Sequence, residues 1–150
     1  MTYRRAIAIM SLISGLVAVY LHLAKIGLAG ALTCGGDRGC AAVQGSIYGQ
    51  LFGIDVALLG ALLYALIFLI ATVGSLGSLV DDKRPTLALM ALIYPAFAYT
   101  LWLKYAEFVI LKGFCKWCVV SAVTIAVSTV FVTLDWSRYR MLLFRSRSSM

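Results

Sequence analysis

The chain has 150 residues, 63% of them hydrophobic and only 13% charged, with a formal net charge of +7. Soluble domains run to about half apolar and about a quarter charged, so this composition excludes an ordinary soluble fold and points to a membrane protein. A basic balance in a soluble chain would suggest nucleic acid; in a chain this apolar it fits cytoplasmic loops rich in Lys and Arg.

The first apolar run extends from Ala6 to about Leu32 and is interrupted by His22 and Lys25. Arg4 and Arg5 before it, and "AGA" at Ala29 to Ala31, resemble a signal peptide. The run is longer than the 7–15 residues of a signal h-region, and Thr33 is larger than the usual residue before a lipoprotein cysteine, so an uncleaved helix is expected. A connection over residues 33–53 follows, with the Gly-rich, turn-prone "TCGGDRGC". In the next stretch Ile47, Leu51 and Ile54 recur at helical spacing, which predicts a short amphipathic helix capping the bundle.

Three further apolar runs cover about 54–80, 87–111 and 114–134. Each is long enough for the roughly 20 residues that cross a bilayer as a helix, and none alternates as a barrel strand would. Pro95 predicts a kink in the third. The expectation is an all-α membrane protein: one domain over residues 1–150, four transmembrane helices, a cap helix in the first non-cytoplasmic loop and a basic tail over 135–150.

Orientation follows from charge. Arg4, Arg5, Lys83, Arg84, Arg138, Arg140, Arg145 and Arg147 share one side of a four-span chain, eight basic residues against three (Arg38, Lys112 and Lys116) on the other. This predicts cytoplasmic termini. Lys25 and Lys104 lie inside apolar runs near the other face, where long stems snorkel; Lys104 and Glu107, three apart on one helical face, are expected to pair and snorkel, the alternative being a proton path. Cys34 and Cys40 in the first connection and Cys115 and Cys118 at the start of the fourth run then share the non-cytoplasmic face. In a bacterium that is the periplasm, where disulfides persist.

A zinc site is disfavoured, because Cys34-x5-Cys40 is looser than the usual ligand spacing; no metal is expected. Structural disulfides explain little, because a Cys-x-x-Cys bridge closes too short a loop to restrain the chain. A redox role remains. Cys115 falls near the first turn of the fourth helix, where orphan N–H groups and the helix dipole favour a thiolate. Cys118, three residues on, shares its face and lies deeper. Thiol–disulfide exchange moves two electrons per step. The sequence has no Gly-rich dinucleotide fingerprint and no haem motif, and its only histidine is His22. A membrane quinone needs no such motif, only a flat apolar pocket with a hydrogen-bond donor beside a thiolate. Tyr48, Phe52, Phe114 and Trp117 are candidate aromatic contacts and Ser46 a candidate donor, although Trp and Tyr also belt any membrane interface.

With Cys34-x5-Cys40, Ser46, "LFGIDVALLG" and "CKWCVVS" in this order, the chain resembles the vitamin K epoxide reductase family in its bacterial form, over nearly its whole length. The resemblance implies four helices around a quinone. It implies that Cys34 and Cys40 are the shuttle pair, and that Cys115 and Cys118 are the active pair beside the quinone ring. A reduced thioredoxin-like partner would attack Cys34, Cys40 would attack Cys115, and Cys118 would pass electrons to ubiquinone or menaquinone. Many bacterial members carry a fused thioredoxin-like domain. This sequence ends in "RSRSSM", so a separate periplasmic DsbA-like protein is the expected partner. Asp55 stands where bacterial members often have Pro, and is read as a helix cap. Ala122 stands where animal enzymes have a substrate-contacting Tyr, which argues against epoxide reduction.

The expected function is a quinone-dependent thiol oxidoreductase of the bacterial inner membrane that drives disulfide formation. The alternatives are a thiol-dependent reductase of vitamin K quinone or its epoxide, and a membrane scaffold whose cysteines are structural.

Overall fold

A computed structural model describes residues 2–30, 45–76, 82–113 and 115–148, with the backbone alone at residues 2 and 142–148. Four long helices dominate: α1 (Thr2–Lys25), α2 (Val56–Val73), α3 (Arg84–Tyr105) and α4 (Lys116–Ser148). Each contains a stretch long and apolar enough to cross a membrane. The shortest, α2, has 18 residues, about 27 Å at 1.5 Å per residue, close to the ~30 Å of a hydrocarbon core.

The helix ends show where the apolar runs misled. The first run was expected to be helical to residue 32, but α1 stops at Lys25. Gly27 takes φ +82°, the Leu28 N–H donates to the Leu23 carbonyl at 2.9 Å, and the Gly27 N–H to Ala24 at 3.2 Å. This is a glycine stop that satisfies the last carbonyls. At its far end α2 closes at Gly74, where an added Cβ would lie 2.7 Å from Pro85 Cβ, so the chain turns too tightly there for any side chain. In the other direction α4 runs past residue 134 to Ser148, and the expected tail is largely a continuation of the helix.

The expected cap helix is not a helix in its described part. Ile47–Gly49 forms a single 3-10 turn, and Gln50–Leu51 pairs antiparallel with Ile54–Asp55 as strands β1 and β2. The two-residue turn between them has φ +54° at Phe52 and +79° at Gly53, the left-handed pair that a tight hairpin requires. The helical spacing of Ile47, Leu51 and Ile54 is overridden by this turn. Residues 31–44, with Cys34 and Cys40, and Phe114 lie outside the described residues.

Helix α1 packs on α2 and α4, and α3 packs on α4, with a thinner seam between α2 and α3. Ile7, Ile67, Leu89, Ile93, Ile125 and Val132 fill the centre. Gly15 lets α1 approach Tyr64 of α2 closely, its built Cβ lying 3.4 Å from the Tyr64 Cβ, as small residues do between membrane helices. Ile9, Leu16, Leu62, Leu69, Val123 and Val130 face outward, where a lipid surface would solvate them. Between helices, Ser14 Oγ donates to Thr124 Oγ1 at 2.8 Å, a polar tie that holds the apolar bundle in register.

Candidate functional site

The head of α4 is built around Cys115. It occupies the N-cap: its carbonyl accepts the Val119 N–H at 3.1 Å, and its Sγ accepts the Cys118 N–H at 3.3 Å. The sulfur does the work that Ser or Asp does at most helix starts. A sulfur held there faces the positive end of the helix dipole, which favours a thiolate. Cys115 is fully buried and Cys118 partly so.

The end of α3 meets this cap. After Tyr105 the helix widens into one π turn over Ala106–Ile110, in which the Leu111 N–H reaches back to the Ala106 carbonyl at 2.9 Å. Wide turns of this kind are frequent at functional sites. Lys112 then takes a left-handed φ of +46°. Glu107, inside the wide turn, is 2% exposed. Its Oε1 accepts the Cys115 backbone N–H at 2.6 Å, and its Oε2 is ion-paired with Lys104 Nζ. The snorkelling expected of these two residues is therefore wrong for Glu107, which points inward, and Lys104 follows it. The carboxylate is retained because its two oxygens have an ammonium and an amide to bind, as a buried charge requires.

A cavity of about 190 Å³ lies between the four helices. One water needs about 10–15 Å³, so the space admits a ring-sized molecule. Its walls are mainly apolar, from Leu21, Leu63, Leu103 and Ile125, with Lys104, Glu107, Cys118 and Ser121 among the polar lining. Mostly apolar walls with a few placed polar groups are the usual makeup of a small-molecule site. Ser121 is fixed by Tyr64, whose hydroxyl lies 2.7 Å from Ser121 Oγ and donates to the Ser121 carbonyl at 3.2 Å.

At the start of α2, Asp55 caps the helix by accepting the Ala57 N–H at 3.3 Å, as expected. It also pairs with His22 Nδ1 at 2.7 Å and Lys25 Nζ at 3.1 Å, tying the end of α1 to the start of α2 beside Val56 and Ala57 of the cavity wall. Burial pushes the Asp55 carboxyl up, but the hydrogen bonds from His22, Lys25 and Ala57 and the Lys25 charge outweigh it and hold the group below the usual carboxylate value.

Of the residues expected to touch a quinone, Tyr48 lines the cavity. Ser46 does not: it stands at the N-cap of the 3-10 turn, its carbonyl accepting the Gly49 N–H at 2.9 Å. Phe52 is 96% exposed at the hairpin tip. Trp117 packs edge-on against Tyr20, ring centroids 5.9 Å apart, away from the cavity wall. Closeness in sequence to a cysteine does not bring an aromatic ring to the cavity. On a helix, adjacency turns a side chain about 100° away, and Trp117 and Cys118 accordingly diverge. Sequence reasoning missed Ser121 and Tyr64. Ser121 follows Cys118 at i+3, and that helical spacing was the available signal. Among the described residues no cluster of three or more His, Cys, Asp or Glu is placed to hold a metal.

The family model described as the vitamin K epoxide reductase family matches residues 5–133, most of the chain.

Proposed function

The chain belongs to the vitamin K epoxide reductase family, an oxidoreductase family of membrane proteins that use a quinone as redox partner, and on that premise we propose that it oxidises a separate thioredoxin-fold protein and passes the electrons to a membrane quinone. Cys34 and Cys40 form the shuttle pair. The partner's thiolate attacks Cys34 and frees Cys40, which attacks Cys115 and releases Cys118 as a thiolate. Each exchange breaks one S–S bond and forms another. The partner leaves oxidised. The face that carries the cysteines is periplasmic and the basic ends are cytoplasmic, in the inner membrane of a bacterium.

The observation that carries this reading is the placement of one active cysteine on a cavity and the other in a helix cap. Cys118 is on the wall of an apolar, ring-sized cavity, and Cys115 heads the same helix with its sulfur against N–H groups. A quinone bound there supplies a two-electron, two-proton acceptor. The chain's own part is to bind the ring between Leu and Ile side chains, to hold Cys115 buried away from water, and to present Cys118 to the cavity. Ser121, fixed by Tyr64, adds a polar group to its wall.

The test is anaerobic. Full-length protein in detergent, given a reduced thioredoxin-fold protein and a short-chain ubiquinone, is expected to reduce the quinone with one partner disulfide formed per quinol. Cys118→Ser is expected to abolish reduction. Absence of quinone reduction by the unaltered chain sinks the reading. Turnover of vitamin K epoxide with a dithiol, and none with the thioredoxin-fold protein, moves the assignment to the epoxide reductase alternative.

A further inference from the structure

Quinone reduction takes up two protons as well as two electrons, and the cavity wall holds few titratable groups. The titratable side chains that face it are Tyr48 beside the hairpin, Tyr64 on α2, Tyr99, Lys104 and Glu107 on α3, and Cys118 on α4. Lys104 and Glu107 are ion-paired with each other, and Glu107 also touches the residue that carries the second active sulfur, through the Cys115 amide. A π turn re-aims this one stretch of α3 inward, and Glu107 is nearly as buried as the core.

We infer that Lys104 and Glu107 are the proton-transfer pair of this site, a role that rests on the quinone reading. Lys104 is the donor on the cavity wall; Glu107, ion-paired with it and hydrogen-bonded to the Cys115 amide, takes up the proton released at the cysteine pair. The step balances. The Cys118 thiolate and the Cys115 thiol lose two electrons and one proton as the Cys115–Cys118 bond forms, and the second proton is the one the partner's thiol gave up when it attacked as a thiolate. Two electrons and two protons pass to the acceptor, and the pair returns to its starting protonation. A donor and acceptor in contact on the cavity wall spare the reaction a proton drawn from bulk water across apolar walls. General acid–base groups of this kind contribute about 10²–10⁴-fold.

The first test needs no quinone. Reduced full-length protein is oxidised with a thiol-specific oxidant, and the infrared difference spectrum is recorded in nanodiscs. The expected result is a change in one carboxyl band that is lost in Glu107→Gln; no change, or the same band in Glu107→Gln, overturns the inference. The second test is single-turnover quinone reduction. Lys104→Gln is expected to slow it at least about 100-fold, and Lys104→Arg, which keeps the charge but cannot release a proton at these pH values, is expected to be equally slow. Methylammonium is expected to restore Lys104→Ala. Full rescue by Lys104→Arg means charge alone matters and overturns proton transfer. Should a Lys104 variant fail to fold, the Glu107→Gln spectrum still decides. A carboxyl signal in a chain that reduces no quinone sinks the function reading and not the pair; quinone reduction at unchanged rate in Lys104→Gln sinks the pair and not the function reading.

Discussion

Two buried ion pairs sit at opposite ends of this bundle, and their surroundings differ. At the end away from the cysteines, Arg4 is 2% exposed. Its Nε donates to Asp135 at 3.0 Å, and its other nitrogens donate to the Gly74 and Asp82 carbonyls, to Thr86 Oγ1 and to the Tyr139 hydroxyl. Thr86 in turn donates to Asp135 at 2.7 Å. Helices α1, α3 and α4, the cap residue that ends α2 and the α2–α3 connection meet at this one guanidinium. At the cysteine end, Glu107 is equally buried and is also ion-paired, but one side of the pair opens on a cavity. A charge enclosed by protein on every side fixes geometry; a charge on a cavity wall is within reach of a molecule that enters the cavity. Burial alone does not separate structure from chemistry, whereas the space beside the buried group does.

The comparison breaks first at the Arg4 end. Asp135→Ala is expected to cost about 3–5 kcal/mol, because it strands a buried guanidinium, read as a fall in the unfolding midpoint in mild detergent. Replacing both partners with apolar residues of similar volume is expected to recover most of that loss. An Asp135→Ala chain as stable as the original would show that this end is not a lock.

A smaller effect is expected at Asp55. Asp55→Ala removes a cap and two partly exposed ion pairs, about 1 kcal/mol at neutral pH. The sign with pH follows from the lowered carboxyl. The folded value lies below the unfolded one of about 3.9, so the contribution is complete above that pH and is lost as pH falls through the folded value. The stability gap between the unaltered chain and Asp55→Ala should therefore close in acid. A gap that widens below pH ~4 would contradict the assignment.

The smallest effect belongs to Tyr64→Phe, which removes the hydroxyl that fixes Ser121 for about 0.5–1.5 kcal/mol. It should leave the Arg4 end untouched. Combined with Asp135→Ala it should be additive, since the two sites share no partner; strong coupling would mean that the two ends communicate.

The sequence made the four spans legible because a helix that crosses lipid must be apolar along its length, and composition alone reports that. It made Cys115 legible as a helix start for a similar reason: the apolar run begins there. It did not disclose Arg4, which read as one of the loop cations yet pairs with a carboxylate 131 positions away, a contact that no local pattern encodes. Glu107 was hidden in another way. A regular helix near the interface lets Lys and Glu turn outward, and only the π turn rotates Glu107 inward. Tyr48 lies on the cavity wall, whereas the hairpin turn holds Phe52 out at its tip.

The sulfur that caps α4 has a consequence for how the protein reports on itself. A thiolate accepts a hydrogen bond more strongly than a neutral thiol, and sulfur in a disulfide is weaker still as a partner. The Cys118 amide, which donates to Cys115 Sγ, therefore carries a built-in gauge of electron load. Its proton resonance and its exchange with solvent should shift each time Cys115 changes state, without any added label, so that the redox history of the chain can be followed at a single peptide bond.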